Sequence, residues 1–245
     1  MPGFRAPLKL ALSATLAVGL LGLGGSSHTF AASHTSRNGG LKLVQAGYLS
    51  VGSDTTYPPM ESKDLQHGGY KGTDVDLANA LAHALGLKGA RIVSTNFNSI
   101  IPALQRGNFD VIMSSMNDTP VRQKQINFVD YMKLNASEAV LVPKASAIHG
   151  NSYAALCGHT VSVQSGTAEL DDLNTSDKSC SKKMTIKQFT ADTDAFQALA
   201  AGHVDAYTTD LPVALFYAKA HSSALRFAGQ PIGSSAKYGI GIAKN

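Results

Sequence analysis

Short apolar segments alternate with helical segments along this chain, and the alternation occurs as two successive blocks. Such an alternation is typical of α/β proteins, in which helices pack on the faces of a mostly parallel sheet. Two blocks therefore predict two α/β lobes. The predicted strands are 43–52, 90–94, 109–113, 138–142, 160–164, 185–189 and 204–208, and the predicted helices are 74–85, one opening at Ser99, 169–173, 192–201 and 211–220.

The first 32 residues have the pattern of a secretory signal peptide. Arg5 and Lys9 precede an apolar run at 10–23, and small residues follow at 29–32. The run is too short and too rich in glycine for a good membrane span, and no cysteine lies within this segment or directly after it to accept a lipid. We therefore expect a periplasmic or secreted protein. Removal of the two basic residues lowers the formal net charge from +4 to +2, which argues against a nucleic-acid partner.

The chain has two cysteines, Cys157 and Cys180, which enclose a polar loop. In an oxidising compartment a disulfide is the favoured interpretation, with two free thiols as the alternative. No histidine stands at ligand spacing beside either cysteine, so the sequence predicts no metal site. It also indicates no cofactor.

The segment Phe109–Arg122 passes from an apolar strand through a hydroxyl-rich turn into a helix start. Ser114, Ser115 and the planar guanidinium of Arg122 suit a small carboxylate, and open α/β sheets bind ligands at the carboxyl ends of their strands. An ordinary turn, in which Thr119 caps the helix and Arg122 is solvated, explains the same residues.

Three further polar segments follow predicted strands, and each has a structural explanation as well as a functional one. Free N–H groups at Gly166 and Thr167 favour an anion, or Thr167 only caps its helix. Asp210 ends a strand and begins a helix, where an N-cap is expected. Four such strand ends facing one cleft are far less expected by chance. The three segments are 51–61, 163–169 and 204–212.

Together these motifs resemble the extracytoplasmic solute-binding proteins of polar amino acid ABC importers, in order and spacing, from about Leu41 to Lys244. The resemblance implies a type 2 periplasmic-binding-protein fold, with two α/β lobes joined by two hinge strands. Lobe 1 would cover 33–134, lobe 2 would cover 135–233, and 234–245 would return to lobe 1. The segments that carry the resemblance are 52–59, 72–77, 101–104, 114–122, 164–167 and 202–210.

The chain departs from the family pattern at three places. The family usually has an aromatic residue where Thr73 stands and a phenylalanine where Met60 stands. Members also continue past 238–242 with helices that close the first lobe, whereas this chain ends at Asn245. We therefore expect the C-terminal helices to be missing and apolar surface of the first lobe to be uncovered.

By resemblance, the ends of the binding site fall in different lobes. Arg122 would hold the α-carboxylate of an amino acid, helped by the amides around Gly166 and Thr167. Asp210 would hold the α-ammonium group, and Ser115 in the 114–122 segment would share that end. A ligand that contacts both lobes binds the closed state better than the open one, which drives closure.

The specificity for the ligand's side chain depends on residues for which the sequence leaves alternatives open. Tyr57 and Phe97 stand where binders of lysine, arginine and ornithine place two aromatic rings. Asp54, with Glu169 as a helper, would then meet a distal cation. Asn117 and Gln164 also suit an amide or carboxylate ligand, so glutamine, glutamate and histidine remain alternatives to a basic amino acid.

The expected function is an exported amino acid receptor, not an enzyme, that acts as a monomer and delivers its ligand to a membrane permease. One alternative is a lyase on the same fold that resembles cyclohexadienyl dehydratase, and Glu169 is its candidate general acid. Another is a ligand-sensing module of a receptor or kinase. That alternative requires an attached transmembrane or signalling segment, and we expect none.

Overall fold

The computed structural model describes residues 40–135, 137–233 and 235–244, so the predicted signal peptide lies outside the described residues. Strands and helices alternate through this part of the chain as expected. The strands are β1 (Leu49–Ser53), β2 (Thr56–Tyr57), β3 (Glu61–Lys63), β4 (Tyr70–Lys71), β5 (Ala90–Ser94), β6 (Val111–Ile112), β7 (Ile126–Leu134), β8 (Glu138–Pro143), β9 (Thr160–Gln164), β10 (Thr185–Phe189), β11 (Ala206–Asp210), β12 (Leu225–Phe227) and β13 (Ala236–Ala243). The helices are α1 (Thr73–Ala84), α2 (Phe97–Gln105), α3 (Pro120–Gln123), α4 (Ala168–Asp177), α5 (Asp192–Ala200) and α6 (Leu211–Ala220).

The first five-stranded sheet has the order β5-β1-β6-β13-β7. β1 is parallel to β5 and β6, whereas β13 runs antiparallel to β6 and β7. The apolar face of α1, with Ala78 and Ala82, packs with Val51 of β1 in one core. Ile100 and Leu104 of α2 belong to a second core. These contacts fix the carboxyl ends of β1 and β6, where the candidate site begins.

The second five-stranded sheet has the order β10-β9-β11-β8-β12. β9 is parallel to β10 and β11, and β8 is antiparallel to β11 and β12. Helix α5 contributes Phe196 to a core that it shares with Tyr207 and Tyr217. The ring of Phe196 stacks on that of Tyr217 with centroids 3.7 Å apart, so this side of the sheet is closely packed.

The chain passes between the two five-stranded sheets twice. The chain leaves the first sheet after Leu134, enters the second at Glu138, and returns between Ile232 and Ala236. The crossings are hydrogen-bonded to each other, since the Glu138 N–H donates to the Ile232 carbonyl (3.1 Å) and the Ile232 N–H donates back (2.7 Å). The predicted lobe boundaries at 134/135 and 233/234 stay predictions, although the sheets change at these places.

Several element bounds differ from the sequence expectation. β1 begins at Leu49 and not at residue 43, because Gly47 has a φ of 80° and a turn closes between Gln45 and Tyr48. A third, three-stranded sheet of order β2-β3-β4 was not predicted. Its strands have two or three residues each, too few to show an alternating pattern. This small sheet matters because it carries Tyr57 and Glu61 into the site.

The predicted disulfide between Cys157 and Cys180 is confirmed. Cys157 follows a short 3-10 helix at Tyr153–Leu156, and Cys180 lies just beyond the end of α4. Both cysteines adjoin a core that includes Leu156, Leu170 and Leu173. The bond therefore ties α4, whose first turn carries Glu169, to the body of the second sheet.

We expect the double variant Cys157→Ser, Cys180→Ser to lose about 3 kcal/mol of unfolding free energy, because the bond closes a loop of 23 residues. Urea denaturation of the variant and of the wild-type protein, oxidised and reduced, measures this. Reduced wild type should match the variant. Equal stability of oxidised wild type and variant would contradict the expectation.

Candidate functional site

A small cavity lies where polar strand ends of the two five-stranded sheets face each other. It leaves about 10 Å³ of room for water-sized molecules, roughly one water. Of the twelve predicted ligand-binding residues, all but Gly166 line it. Gly166 lines an adjoining cavity of about 480 Å³. The lining residues are Asp54, Tyr57, Glu61, Phe97, Ser114, Ser115, Asn117, Arg122, Gln164, Thr167, Ala168, Glu169 and Asp210.

Arg122 places an unpaired cation in this cavity. Thr119 caps α3 by accepting the Arg122 N–H (3.3 Å), and the guanidinium donates to the carbonyls of Asn117 (2.9 Å) and Gly166 (3.1 Å). It also lies 5.3 Å from the Phe97 ring centroid. Burial lowers the pKa of Arg122, and among the described residues no carboxylate forms an ion pair with it. The group is therefore suited to an anion.

Gly166 allows the second sheet to approach Arg122 and α2. Its φ is 81°, and a Cβ atom there would lie 2.8 Å from the Asn98 Cα. A side chain would therefore push the two sheets apart. The predicted N–H contribution of this turn and the observed carbonyl contact to Arg122 both depend on glycine at this position.

Asp210 is buried at the end of β11, and its carboxylate accepts hydrogen bonds from residues on the side of the first five-stranded sheet. The Tyr57 hydroxyl donates to its carboxylate (2.9 Å), and so does the Asn117 side-chain amide (3.3 Å). The Asp210 N–H and the Thr209 hydroxyl donate to the Tyr57 oxygen (3.1 and 3.0 Å). Burial raises the pKa of Asp210. Because the surrounding charges are mostly negative, an ammonium group would be favoured here.

Asp54 lies at another part of the cavity. Its carboxylate accepts from the Gln164 side chain (2.7 Å), from the Phe97 N–H (3.0 Å) and from the Thr56 hydroxyl (2.6 Å). The Gln164 contact joins the two sheets directly. Burial raises the pKa of Asp54, while these hydrogen bonds oppose the shift. The carboxylate is thus both a turn former and a lining group of the cavity.

Sequence reasoning missed two buried carboxyl groups: Glu61, which lines the cavity, and Asp74, which adjoins Glu61. Glu61 accepts from the hydroxyls of Ser114 (2.9 Å) and Ser115 (3.3 Å). Asp74 accepts from the Ser115 N–H (2.6 Å) and from the Tyr131 hydroxyl (2.7 Å). Both lie within segments that carried the predicted motifs. Glu61 had no assigned role, and Asp74 was placed only at a helix start.

Ser115 is held in a conformation that serine rarely adopts, with a φ of 45°. It has the one positive φ among the described residues other than glycine. The short bond from its N–H to Asp74 offsets this strain, which costs of the order of 1–3 kcal/mol. The turn that carries Ser114, Ser115 and Asn117 is therefore fixed by a buried carboxylate.

Glu169 lines the cavity and lies close to other acidic groups. Burial and the charges of Asp210 and Glu138 raise its pKa well above the usual range. One carboxyl oxygen, Oε1, has no hydrogen-bond partner among the described residues. Asp210 and Glu138 are therefore the electrostatic neighbours of Glu169, and its role as a helper of Asp54 stays a prediction.

The chain is a member of a known family. A model of bacterial extracellular solute-binding proteins, family 3, matches residues 49–197, and the chain belongs to that family. The arginine-binding protein ArgT of Corynebacterium glutamicum is 31% identical over 193 residues, which cover 76% of this chain and 62% of the relative. The match thus spans less than two thirds of that relative's length.

Solved structures establish the fold. An ancestral arginine-binding protein bound to arginine has a TM-score of 0.74 at 36% identity, covering 81% of this chain and 85% of that one. AncCDT-1, an ancestral amino acid-binding protein and a precursor of cyclohexadienyl dehydratase, has a TM-score of 0.70 at 37% identity, covering 81% and 83%. The predicted type 2 periplasmic-binding-protein fold is confirmed.

Within the described ranges, no helix has the length and apolar character needed to cross a membrane. The same ranges hold no group of three or more His, Cys, Asp or Glu side chains placed to bind a metal ion.

A buried acid behind the cavity predicts a pH dependence of stability. The carboxyl group of Asp192 accepts from the Tyr207 hydroxyl (2.6 Å) and lies 3.3 Å from the Thr209 hydroxyl oxygen, and burial raises its pKa to about 8. The stabilisation from this proton is complete below about pH 4 and is lost as the pH rises towards 8. We therefore expect the wild-type unfolding free energy to fall over this range by up to about 1.4 kcal/mol per pH unit.

Urea denaturation at several pH values should show a smaller fall for Asp192→Asn. Asp194→Asn, on the exposed side of the same helix, is the matched control and should keep the wild-type slope. Parallel curves for wild type and Asp192→Asn would show that Asp192 does not hold the proton.

Proposed function

We propose that this protein is an extracytoplasmic receptor that binds a basic L-amino acid between its two sheets and delivers it to the permease of an ABC importer. The observation that carries the proposal is the distribution of buried charge. Arg122 is a buried cation without a carboxylate partner, and Asp54, Glu61 and Asp74 are buried carboxyls without a cation among the described residues. A ligand with one anionic and two cationic groups complements this arrangement.

Each ligand group has an assigned position. Arg122 binds the α-carboxylate as a two-pronged donor, supported by the turn at Gly166 and Thr167. Asp210 accepts from the α-ammonium group, together with Ser115. Tyr57 and Phe97 contact the aliphatic stem, and the distal cation lies towards Asp54 and Glu61.

Closure of the cleft follows because the proposed ligand-binding residues belong to two different sheets. Arg122 and Asn117 belong to the first sheet's side, whereas Asp210 and Gln164 end strands of the second sheet. A ligand that binds both sets has more contacts in the closed state and so shifts the hinge equilibrium towards it. The closed form is then what the permease recognises, and the receptor acts as a monomer in the periplasm or outside the cell.

The names of relatives support a basic ligand. The Corynebacterium relative is an arginine-binding protein, and the ancestral neighbour was solved with arginine. Asn117 and Gln164 keep glutamine, glutamate and histidine as alternatives. In the structure, however, the Gln164 amide is already bonded to Asp54 and to the Thr190 carbonyl, which leaves it less free to read an amide ligand.

A lyase is the second candidate, because Glu169 has the environment of a general acid. It lines the cavity, burial keeps its pKa high, and its Oε1 has no partner among the described residues. The related AncCDT-1 is a dehydratase precursor. Turnover of prephenate or arogenate by the purified protein would replace the receptor function by this one.

Calorimetric titration against arginine, lysine, ornithine, histidine, glutamine and glutamate tests the proposed function. We expect a basic amino acid to bind most tightly and glutamate most weakly. Asp54→Asn should weaken the basic ligand by roughly 1–3 kcal/mol and narrow its preference over glutamine. If Asp54 only organised the turn, every ligand would weaken by a similar factor. Tightest binding of glutamine or glutamate by wild type would contradict the basic-ligand proposal.

Replacement of Arg122 by alanine should weaken amino acid binding by at least about 100-fold, since a desolvated charged pair is lost. The fold should keep its stability, because the variant also removes an unpaired buried cation. Arg122→Lys should bind poorly as well, because an ammonium group cannot form the two-pronged contact. Arg106→Ala, at an exposed arginine after α2, is the control for calorimetry. Unchanged affinity of Arg122→Ala would refute the carboxylate assignment.

A further inference from the structure

Three buried carboxyl groups lie in or beside the cavity: Asp54 and Glu61 line it, and Asp74 adjoins Glu61. Asp54, Glu61 and Asp74 are 4%, 0% and 1% exposed. None forms an ion pair with any described lysine, arginine or histidine. Negative charges on all of these buried groups, above all on the adjoining Glu61 and Asp74, are too costly to coexist without a counter-charge. At least one of these groups must carry a proton until a cation arrives.

The hydrogen bonds indicate which group carries it. Glu61 Oε2 and Asp74 Oδ2 lie 3.3 and 3.4 Å from the same Ser115 hydroxyl, so the two carboxyls adjoin each other. Asp74 accepts a backbone N–H and the Tyr131 hydroxyl, and it lies in the first turn of α1, where the helix dipole favours an anion. Glu61 accepts only the serine hydroxyls. The ionised form of Asp74 is therefore better stabilised than that of Glu61, so Glu61 is the group that carries the proton.

The other titratable groups around Glu61 give the same assignment. Asp54 and Asp74 raise its pKa further, in addition to burial. Tyr57 on β2 and Tyr131 on β7 are neutral donors. The lysines of β3 and β4 are exposed, and Lys71 lies 3.7 Å from Asp64. No cation of these elements therefore replaces the proton on Glu61.

We propose that Glu61 keeps its proton when the bound ligand has a neutral side chain and releases it to solvent when a cationic side chain enters. This inference rests on the proposed amino acid-binding function. The Glu61 O–H bond breaks, the proton leaves to the buffer, and the carboxylate then pairs with the ligand cation. The net charge of the closed cavity is thus the same with either ligand. Glu61 becomes a specificity-determining residue whose proton competes with the ligand's distal charge.

Arginine and citrulline form the matched ligand pair for the test, since citrulline replaces the guanidinium by a neutral group of similar shape. Titration calorimetry in phosphate and in Tris at one pH gives the number of protons released from the difference in heats. We expect about one proton more for arginine than for citrulline. Because binding releases a proton, the affinity for arginine should rise with pH, by up to about tenfold per pH unit, at pH values below the pKa of Glu61. Citrulline affinity should not show this rise.

The variant Glu61→Gln should lose the extra proton release and the pH dependence, and its preference for arginine over citrulline should fall. Asp76→Asn, an exposed change on the same helix as Asp74, should keep both. Arginine binding without extra release would overturn this inference and leave the receptor function standing. If arginine and citrulline released the same number of protons, the released proton would come from the groups that bind the α-ammonium end, and this result would also overturn the inference. No arginine binding at all would remove the basic-ligand proposal, and this inference with it.

Discussion

Buried charge without a partner is the constraint on which the rest of this structure depends. A cation and several carboxyls are enclosed in one cleft, and in the described part of the chain they are kept apart and not paired with each other. Such groups cost several kcal/mol each unless protons, hydrogen bonds or a ligand compensate them. Neutral hydrogen-bond donors compensate part of this cost, since Tyr57 and Asn117 donate to the Asp210 carboxylate. The remainder is available as ligand-binding free energy.

The architecture was largely predictable because it depends on local patterns. Apolar runs with glycine at their ends indicated most strands and helices, such as α1 and β9, and two βα blocks indicated two sheets. The β2-β3-β4 sheet was missed because strands of two or three residues have no periodicity to detect. The early start assigned to β1 was wrong because Gly47 and its turn interrupt the apolar run.

The site residues were predictable where a strand end is followed by a turn whose residue types already indicate ligand binding. Arg122 and Gly166 follow strands and Asp210 ends one, so position and residue type agree. Glu61 and Asp74 could not be identified in this way, because their burial comes from tertiary contacts with the Ser114–Ser115 turn and not from their own segments. Glu169 was recognised as a lining residue, and its electrostatic neighbours in the structure are Asp210 and Glu138. Only the packing of α4 against β11 sets its partner, and a sequence pattern does not contain that distance.

The strained turn at Ser115 links the two kinds of charge in the cleft. Asp74 holds the Ser115 N–H, and two residues later Asn117 contacts both Arg122 and Asp210. Fixing one buried carboxylate therefore also fixes the groups that hold the backbone end of the ligand. A relaxed turn would lower the strain but would let Asn117 move away from Arg122. The cost of the positive φ is thus part of the preorganisation of the site, in line with the general finding that local strain concentrates where a binding surface must be held rigid.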